Sequence, residues 1–417
     1  MLRVTAASLT DGVLPQSRHH LFITGLGIGQ IICWGVLFYA FPLAAEPMAA
    51  ELGIAKPQIY GAATFGLLLA GLAAYPVGWL IDRGHGRAVM TGGALLGGLL
   101  FALWSQVHGL TLFYILFGGV GIAMAATLYE PAFAVVARRF GAGARTGITA
   151  LTLWGGFAST VFVPVTQFLI DHLGWRDAVL TLGLVTMASG GLYLWVIDPR
   201  RDAEPLRDRG GSEAGPRDGP HNGPGDGSAV RWALRQPTFW ALAVAITLYF
   251  GALSGLTYHW YPLLLEKGFD TASVVAGMAI IGPAQVAGRI AIWVLARQQP
   301  IKAIGRGVVI VFPLALLLLL FSPAEFALLA LFAAIYGAAN GIMTIVRGLA
   351  LREMLTAESY GTLNGLLSVP AMIAKALAPF AAAWLWAASG GYDAVLVAGI
   401  VGASLVAASF WMAGRRS

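Results

Sequence analysis

Two cations stand where a bilayer-crossing helix has little use for charge. Arg289 lies well inside the apolar run 272–296, and Lys375 lies near the middle of another, 361–387. Neither run contains an Asp or Glu. A charged side chain in hydrocarbon costs about 2.5–3.5 kcal/mol on insertion scales, so it normally faces a polar cavity or a partner. The chemistry this pair offers is anion binding. An arginine fork gives a carboxylate two parallel hydrogen bonds, while a lysine ammonium acts as a point charge. Two separated cations therefore suit a dicarboxylate, or a small carboxylate with a polar tail. The competing reading of Arg289 is snorkelling toward Arg297, about two turns away. Lys375 is deeper, where snorkelling is harder.

Other groups sit within the apolar runs. Glu130, in Tyr129-Glu130-Pro131, either carries protons, pairs with Arg347 or faces water near a helix end. Arg347 lies closer to one end of its run, where snorkelling suffices. His259, in the aromatic run Tyr258-His259-Trp260-Tyr261, either lines a pathway and titrates near neutral pH or is an interfacial residue. Tyr39, Tyr129, Trp154 and Tyr258 are candidates for the wall of a pocket, against the plainer alternative of packing.

The elements that must position these residues follow from composition. The chain has 417 residues, 58% hydrophobic and 11% charged, with a mean hydropathy of +0.75. Soluble domains carry about 25% charged residues, and a spanning helix needs about 20 mostly apolar ones. Twelve stretches qualify: 21–45, 58–81, 88–107, 110–137, 145–170, 176–196, 239–265, 272–296, 302–321, 325–351, 361–387 and 392–413. The alternation of a membrane barrel is absent. The sequence therefore predicts an all-α membrane protein of twelve transmembrane helices in two six-helix halves, 1–197 and 232–417. The connecting segment 198–231 is rich in Gly, Pro, Arg and Asp and is expected to be a disordered cytoplasmic linker.

A net charge of +6 would suit nucleic acid, but its placement argues otherwise. With the N-terminus inside, twenty of the 26 Lys and Arg fall in cytoplasmic segments and three, Lys56, Arg176 and Lys267, in outer loops. That is the positive-inside asymmetry, and it predicts an inner-membrane protein with both termini cytoplasmic. The single cysteine, Cys33, excludes an internal disulfide and a cysteine metal site. No Walker-type loop or zinc-ligand spacing appears, so no cofactor, metal or enzymatic activity is expected.

The halves repeat each other. Gly174-Trp175-Arg176-Asp177-Ala178-Val179-Leu180 matches Gly390-Gly391-Tyr392-Asp393-Ala394-Val395-Leu396, and Pro164 matches Pro379, at offsets of 216 and 215. At that offset Arg289 falls on Ala74, Lys375 on Thr160 and Arg347 on Ala132. The scaffold is duplicated and its buried cations are not, which favours a role at a site. Paired halves with a midplane site between them are a transporter architecture.

The turn after the second stretch, Gly78-Trp79-Leu80-Ile81-Asp82-Arg83-Gly84-His85-Gly86-Arg87, resembles the loop signature of the major facilitator superfamily. The spacing departs by about one residue, at His85, and the second-half turn Ala296-Arg297-Gln298-Gln299-Pro300 lacks the acid. The resemblance implies a gating role for Asp82, Arg83 and Arg87, with Asp82 pairing in one state and released in the other. Within that superfamily the whole chain resembles the oxalate:formate antiporter and monocarboxylate transporter families. The parts that carry this are Gly288-Arg289, the mid-helix Lys375 and His259-Trp260-Tyr261-Pro262-Leu263. In the oxalate carrier an Arg on span eight and a Lys on span eleven hold the substrate, which implies that role for Arg289 and Lys375. Animal monocarboxylate transporters carry an acid one turn before the Arg, where this chain has Gln285. Signatures of proton-driven drug exporters in spans four and five are absent.

The resulting expectation is a secondary carrier of small organic carboxylates, working by alternating access as a proton symporter or an anion exchanger. Its partners would be the lipid bilayer, a small organic anion and, in the symport version, protons; it would be a monomer and bind no nucleic acid. Two alternatives stay open: an exporter of larger amphiphilic compounds, and a non-transporting anion receptor of the same fold.

Overall fold

A computed structural model describes residues 16–140, 144–198, 231–295, 299–356 and 360–415. The proposed linker lies almost wholly outside them. The described residues form helices separated by short turns and two π-helical segments. Eleven stretches are long and apolar enough to cross a membrane. One of them, Ala150–Val196, has 47 residues, about 70 Å of helix against about 30 Å of hydrocarbon. It folds back at Gly174, whose φ of 77° only glycine adopts without strain. Two crossings result, and the total is the expected twelve.

Span one comprises Gln16–Cys33, a π-helical segment Trp34–Tyr39, and Phe41–Leu52. Span two is Lys56–Leu80, span three Gly86–Trp104, and span four the broken pair Leu110–Thr127 and Tyr129–Phe140. Spans five and six run through Ala144–Gly156 and Ala158–Val196. The second half consists of Pro237–Glu266, Thr271–Leu295, Ile301–Phe321, Phe326–Met354, Tyr360–Ser389 and Tyr392–Arg415, spans seven to twelve.

The duplication is visible in contacts as well as in sequence. Spans two and four press together so closely that a Cβ on Gly121 would land on the carbonyl oxygen of Gly66. The equivalent pair in the second half, at offsets of 216 and 215, is Gly337 of span ten against the carbonyl of Ile281 in span eight. Glu51 ends span one and accepts hydrogen bonds from Trp175 Nε1 at 2.6 Å and Arg176 Nη2 at 2.7 Å. Glu266, at an offset of 215, ends span seven and accepts from Trp386 Nε1 and Tyr392 N, both at 2.7 Å. In each half one acid pins the turn that opens the last span.

Each half has its own apolar core, one centred on Phe41, Phe101, Trp104 and Phe117, the other on Trp260, Phe312, Phe332 and Tyr336. Without a hydrophobic drive between helices in lipid, close packing of small residues holds such bundles together. The large apolar side chains left exposed, Leu72, Ile115, Leu314 and Trp384 among them, then face lipid.

Candidate functional site

Two breaks in helical geometry shape the inner surface of the first half. Pro42 has no N–H for the carbonyl of Phe38, and the preceding turn Trp34–Tyr39 widens into a π-helix. That re-aims Phe38 and Tyr39. In span four, Pro131 has no N–H for the carbonyl of Thr127, and the helix breaks at Leu128, where ψ is −155°. The freed oxygen accepts a 2.7 Å hydrogen bond from Nε2 of Gln30, a fully buried residue of span one. The second segment of span four therefore begins with Tyr129 and Glu130 at the break.

Arg289 is placed by its neighbour. Gly288 lies flat on the backbone of Ala338 in span ten, and the next residue turns about 100° away around the helix, toward the other half. There Nη1 of Arg289 donates to the carbonyl oxygen of Thr152 in span five at 3.3 Å. The hydroxyl of Tyr129 reaches the same oxygen at 3.5 Å. Nε of Arg289 is buried without a partner. The hydroxyls of Tyr39, Tyr129 and Tyr249 lie within electrostatic reach of the guanidinium, as does Arg347.

Lys375 is held by packing between spans seven and eleven. Ser254 Oγ donates to its carbonyl oxygen at 2.7 Å, and Gly251 and Gly255 lie against Ala374 and Ala378. Its ammonium stands 6.0 Å from the ring centroid of Phe38 in the other half, within electrostatic reach of Glu130 and Arg347. Glu130 is exposed. Both sequence-predicted cations of the second half thus face aromatic and hydroxyl groups of the first.

The remaining predicted residues divide. Tyr129 shares the Thr152 carbonyl with Arg289 and also packs on Trp34 at 5.0 Å, while Tyr39 packs edge-on against Phe38 at 5.2 Å. Trp154 packs on Gly27 of span one. Tyr258 is buried against Phe38 and Phe41. His259 is fully buried and both ring nitrogens are engaged, Nδ1 with the Tyr392 hydroxyl at 2.7 Å and Nε2 with the Pro379 carbonyl at 2.9 Å. A carbonyl only accepts, so Nε2 carries the proton and Nδ1 accepts from Tyr392. The imidazole also stacks on Tyr60 of the first half at 4.0 Å.

His259 therefore belongs to a seal between the halves. Lys56, at the start of span two, sits 4.3 Å from the Trp386 ring centroid and 5.1 Å from that of Tyr392. It also pairs with Glu46 at 3.3 Å. Of the loop residues, Arg83 lies 3.5 Å from the Trp79 ring and Arg87 Nη2 donates to Leu194 O at 2.6 Å. The side chain of Asp82 lies outside the described residues.

Four features had no place in the sequence reading: Gln30, Phe38, Tyr60, and the buried hydrogen bond from the Tyr249 hydroxyl to Asn340 Oδ1. Gln30 and Asn340, amides inside apolar runs, carried a readable signal. An apolar pocket lined by Leu253, Phe312, Leu316, Tyr336 and Val406 lies behind Tyr249 inside the second half, apart from the two cations.

The family model for the Major Facilitator Superfamily matches residues 26–328. The chain belongs to the Major Facilitator Superfamily. It is 28% identical to monocarboxylate transporter 13 of Bos taurus over 414 residues, covering 93% of this chain and 85% of that one. It is 34% identical to monocarboxylate transporter 11 of Homo sapiens over 143 residues, covering 32% of this chain and 30% of that one. Among solved structures it is similar to a bacterial homolog of the human lysosomal transporter Spinster in an inward-facing, unoccupied conformation. That likeness has a TM-score of 0.72 at 14% identity and covers 97% and 98% of the two chains. The nucleoside transporter NupG is matched with a TM-score of 0.72 at 13% identity, covering 95% and 99%. This protein is a multi-pass membrane transporter of that fold, and a small molecule is its substrate.

Proposed function

We propose that the protein is a secondary carrier of small organic carboxylates, with Arg289 and Lys375 as the anion-binding pair. The observation that carries this is the placement of two second-half cations against a first-half surface of tyrosines and Phe38. Arg289 there has a long hydrogen bond to one shared backbone carbonyl and an unpartnered Nε. A carboxylate offers it the two parallel acceptors that Thr152 cannot. The relatives named monocarboxylate transporters support the same substrate class.

The positive-inside asymmetry puts both termini, and the segment 198–231 between the halves, in the cytoplasm of an inner-membrane protein. The seal of Lys56, Tyr60, His259, Tyr392 and Trp386 then lies at the outer face. Rocking of the halves would open that seal and close the inner side, with Asp82, Arg83 and Arg87 as the inner gate. Protons or a counter-anion complete the cycle; Glu130, exposed at the break in span four, is a better-placed proton site than the buried His259. The working unit is a monomer.

The test is uptake of radiolabelled acetate, lactate, malonate and oxalate into proteoliposomes. Saturable accumulation of at least one, competed by the others, supports the carrier. Binding without flux would favour a receptor, and flux of bulky amphiphiles alone an exporter.

A further inference from the structure

A fully buried amide, Gln30, stands in the apolar middle of span one. Such a group is costly there unless it is hydrogen-bonded. Its Nε2 donates at 2.7 Å to the backbone oxygen of Thr127 in span four. That oxygen has lost its helical partner, because the N–H that would reach it belongs to Pro131. Leu128 lies between them in an extended conformation, with ψ at −155°. An extended residue advances the chain about 3.3 Å, against about 1.5 Å in a helix. The segment Tyr129–Phe140 therefore starts shifted along, and turned about, the axis of Leu110–Thr127. Tyr129 opens the shifted segment. Its hydroxyl comes to 3.5 Å from the Thr152 oxygen, to which Nη1 of Arg289 donates at 3.3 Å. Its ring packs on Trp34 at 5.0 Å and on Phe133 at 5.1 Å. The duplicated scaffold does not require this arrangement. Span ten runs unbroken from Phe326 to Met354 and contains no proline. At the offset of 215 that relates Glu51 to Glu266, Gln30 falls on the buried Ala245 of span seven.

We propose that Gln30 is a positioning residue of the anion site. By holding the freed carbonyl it fixes the break in span four, and the break sets Tyr129 against the carbonyl that Arg289 uses. The proposal rests on the carboxylate reading above for the ligand alone. Gln30 touches no substrate and acts through Thr127 and Tyr129. The plainer role, satisfying a buried carbonyl for stability, makes a different prediction. Pro131→Ala supplies the missing N–H, so Thr127 O can be satisfied within its own helix. If stability were all that Gln30 supplies, that substitution would make the amide dispensable. If Gln30 positions Tyr129, losing both amide and proline straightens span four, and stability returns without function.

The experiment compares the full-length wild type, Gln30→Met, Pro131→Ala and the double variant. Three quantities are read: melting temperature, uptake of radiolabelled lactate and malonate into proteoliposomes, and the length of span four. The length comes from pulsed dipolar spectroscopy between nitroxides on Thr111→Cys and Ala137→Cys; the native Cys33 is buried. An unbroken helix would set those positions about 39 Å apart. Gln30→Met should broaden the distance distribution and lower both melting temperature and uptake. Pro131→Ala alone should keep the wild-type distance, because the amide still holds the carbonyl. The double variant should melt near the wild type and lengthen toward about 39 Å. Its uptake should stay at least about tenfold below the wild type, equivalent to about 1.4 kcal/mol of barrier. Wild-type uptake in the double variant, or an unchanged distance, overturns the proposal. So does a straightened helix in Pro131→Ala, which would show that the proline alone sets the break; that variant decides if the double variant does not fold. A wild type that takes up neither lactate nor malonate counts against the carboxylate reading, and the distances alone then decide on Gln30.

Discussion

Nη1 of Arg289 in span eight donates to the backbone oxygen of Thr152 in span five at 3.3 Å, a bond that crosses from one half to the other. The bond is long for a charged donor, and it leaves Nε unpartnered. The guanidinium is therefore held at the interface without being satisfied there. A ligand that satisfies it better draws on the full differential between an imperfect and a bidentate partner, and only such a differential can shift the halves from one state to another.

Placement of Arg289 depends on how tightly spans eight and ten fit. A Cβ on Gly341 would land on the carbonyl oxygen of Gln285, and backbone cannot move aside as a side chain can. Gly341→Ala should destabilise the protein by about 1–3 kcal/mol, the usual range for overpacking, and weaken ligand binding with it. Gly307→Ala, in span nine with open space around it, should leave the melting temperature unchanged or slightly raised. Equal melting temperatures for the two variants would contradict the packing argument.

The contact between the halves around Lys56, proposed above to seal the outer face, should be separable from the anion site. Lys56 in its cage of Trp386 and Tyr392 is a cation–π contact between the halves, of about 0.5–2 kcal/mol. Lys56→Met should shift the population toward the outward-open state by several-fold. Spin labels at Ile54 and Ser389, measured by pulsed dipolar spectroscopy, would report a larger fraction of long distances. An unchanged distribution would show that the cage does not hold the halves.

A proton-coupled cycle should depend on Glu130 and not on His259. Glu130 is exposed at the break in span four, whereas His259 is buried with both nitrogens bonded. Glu130→Gln should flatten the pH dependence of uptake. His259→Gln should slow transport by disturbing the Tyr60 stack while keeping the shape of the pH profile. A profile flattened by the histidine variant alone would reverse the assignment.

Much of this was legible in the sequence, and the reasons differ by element. Twelve spans follow from hydropathy because lipid makes any other backbone too costly, and the duplication follows from one offset shared by several short matches. Arg289 and Lys375 stood out because charge within an apolar run is expensive. The π-helical turn at Trp34–Tyr39 and the break at Leu128 did not, although Pro42 and Pro131 cause both. A proline marks a missing N–H, but whether the helix kinks, widens or breaks depends on what takes up the freed carbonyl, and Gln30 does so from another span. His259 could not be placed either, since its surroundings come from three spans distant in sequence.

The most direct measurement of the central claim is carboxylate affinity for Arg289→Ala, Arg289→Lys and Lys375→Ala, each with its melting temperature in the absence of ligand. Truncating one partner of a buried hydrogen-bonded charge pair costs about 2–5 kcal/mol, tens-fold or more in affinity. Both alanine variants should lose binding while melting close to the wild type. Arg289→Lys should also fail, because an ammonium cannot reproduce the planar fork. Near-wild-type affinity in both alanine variants would contradict the account.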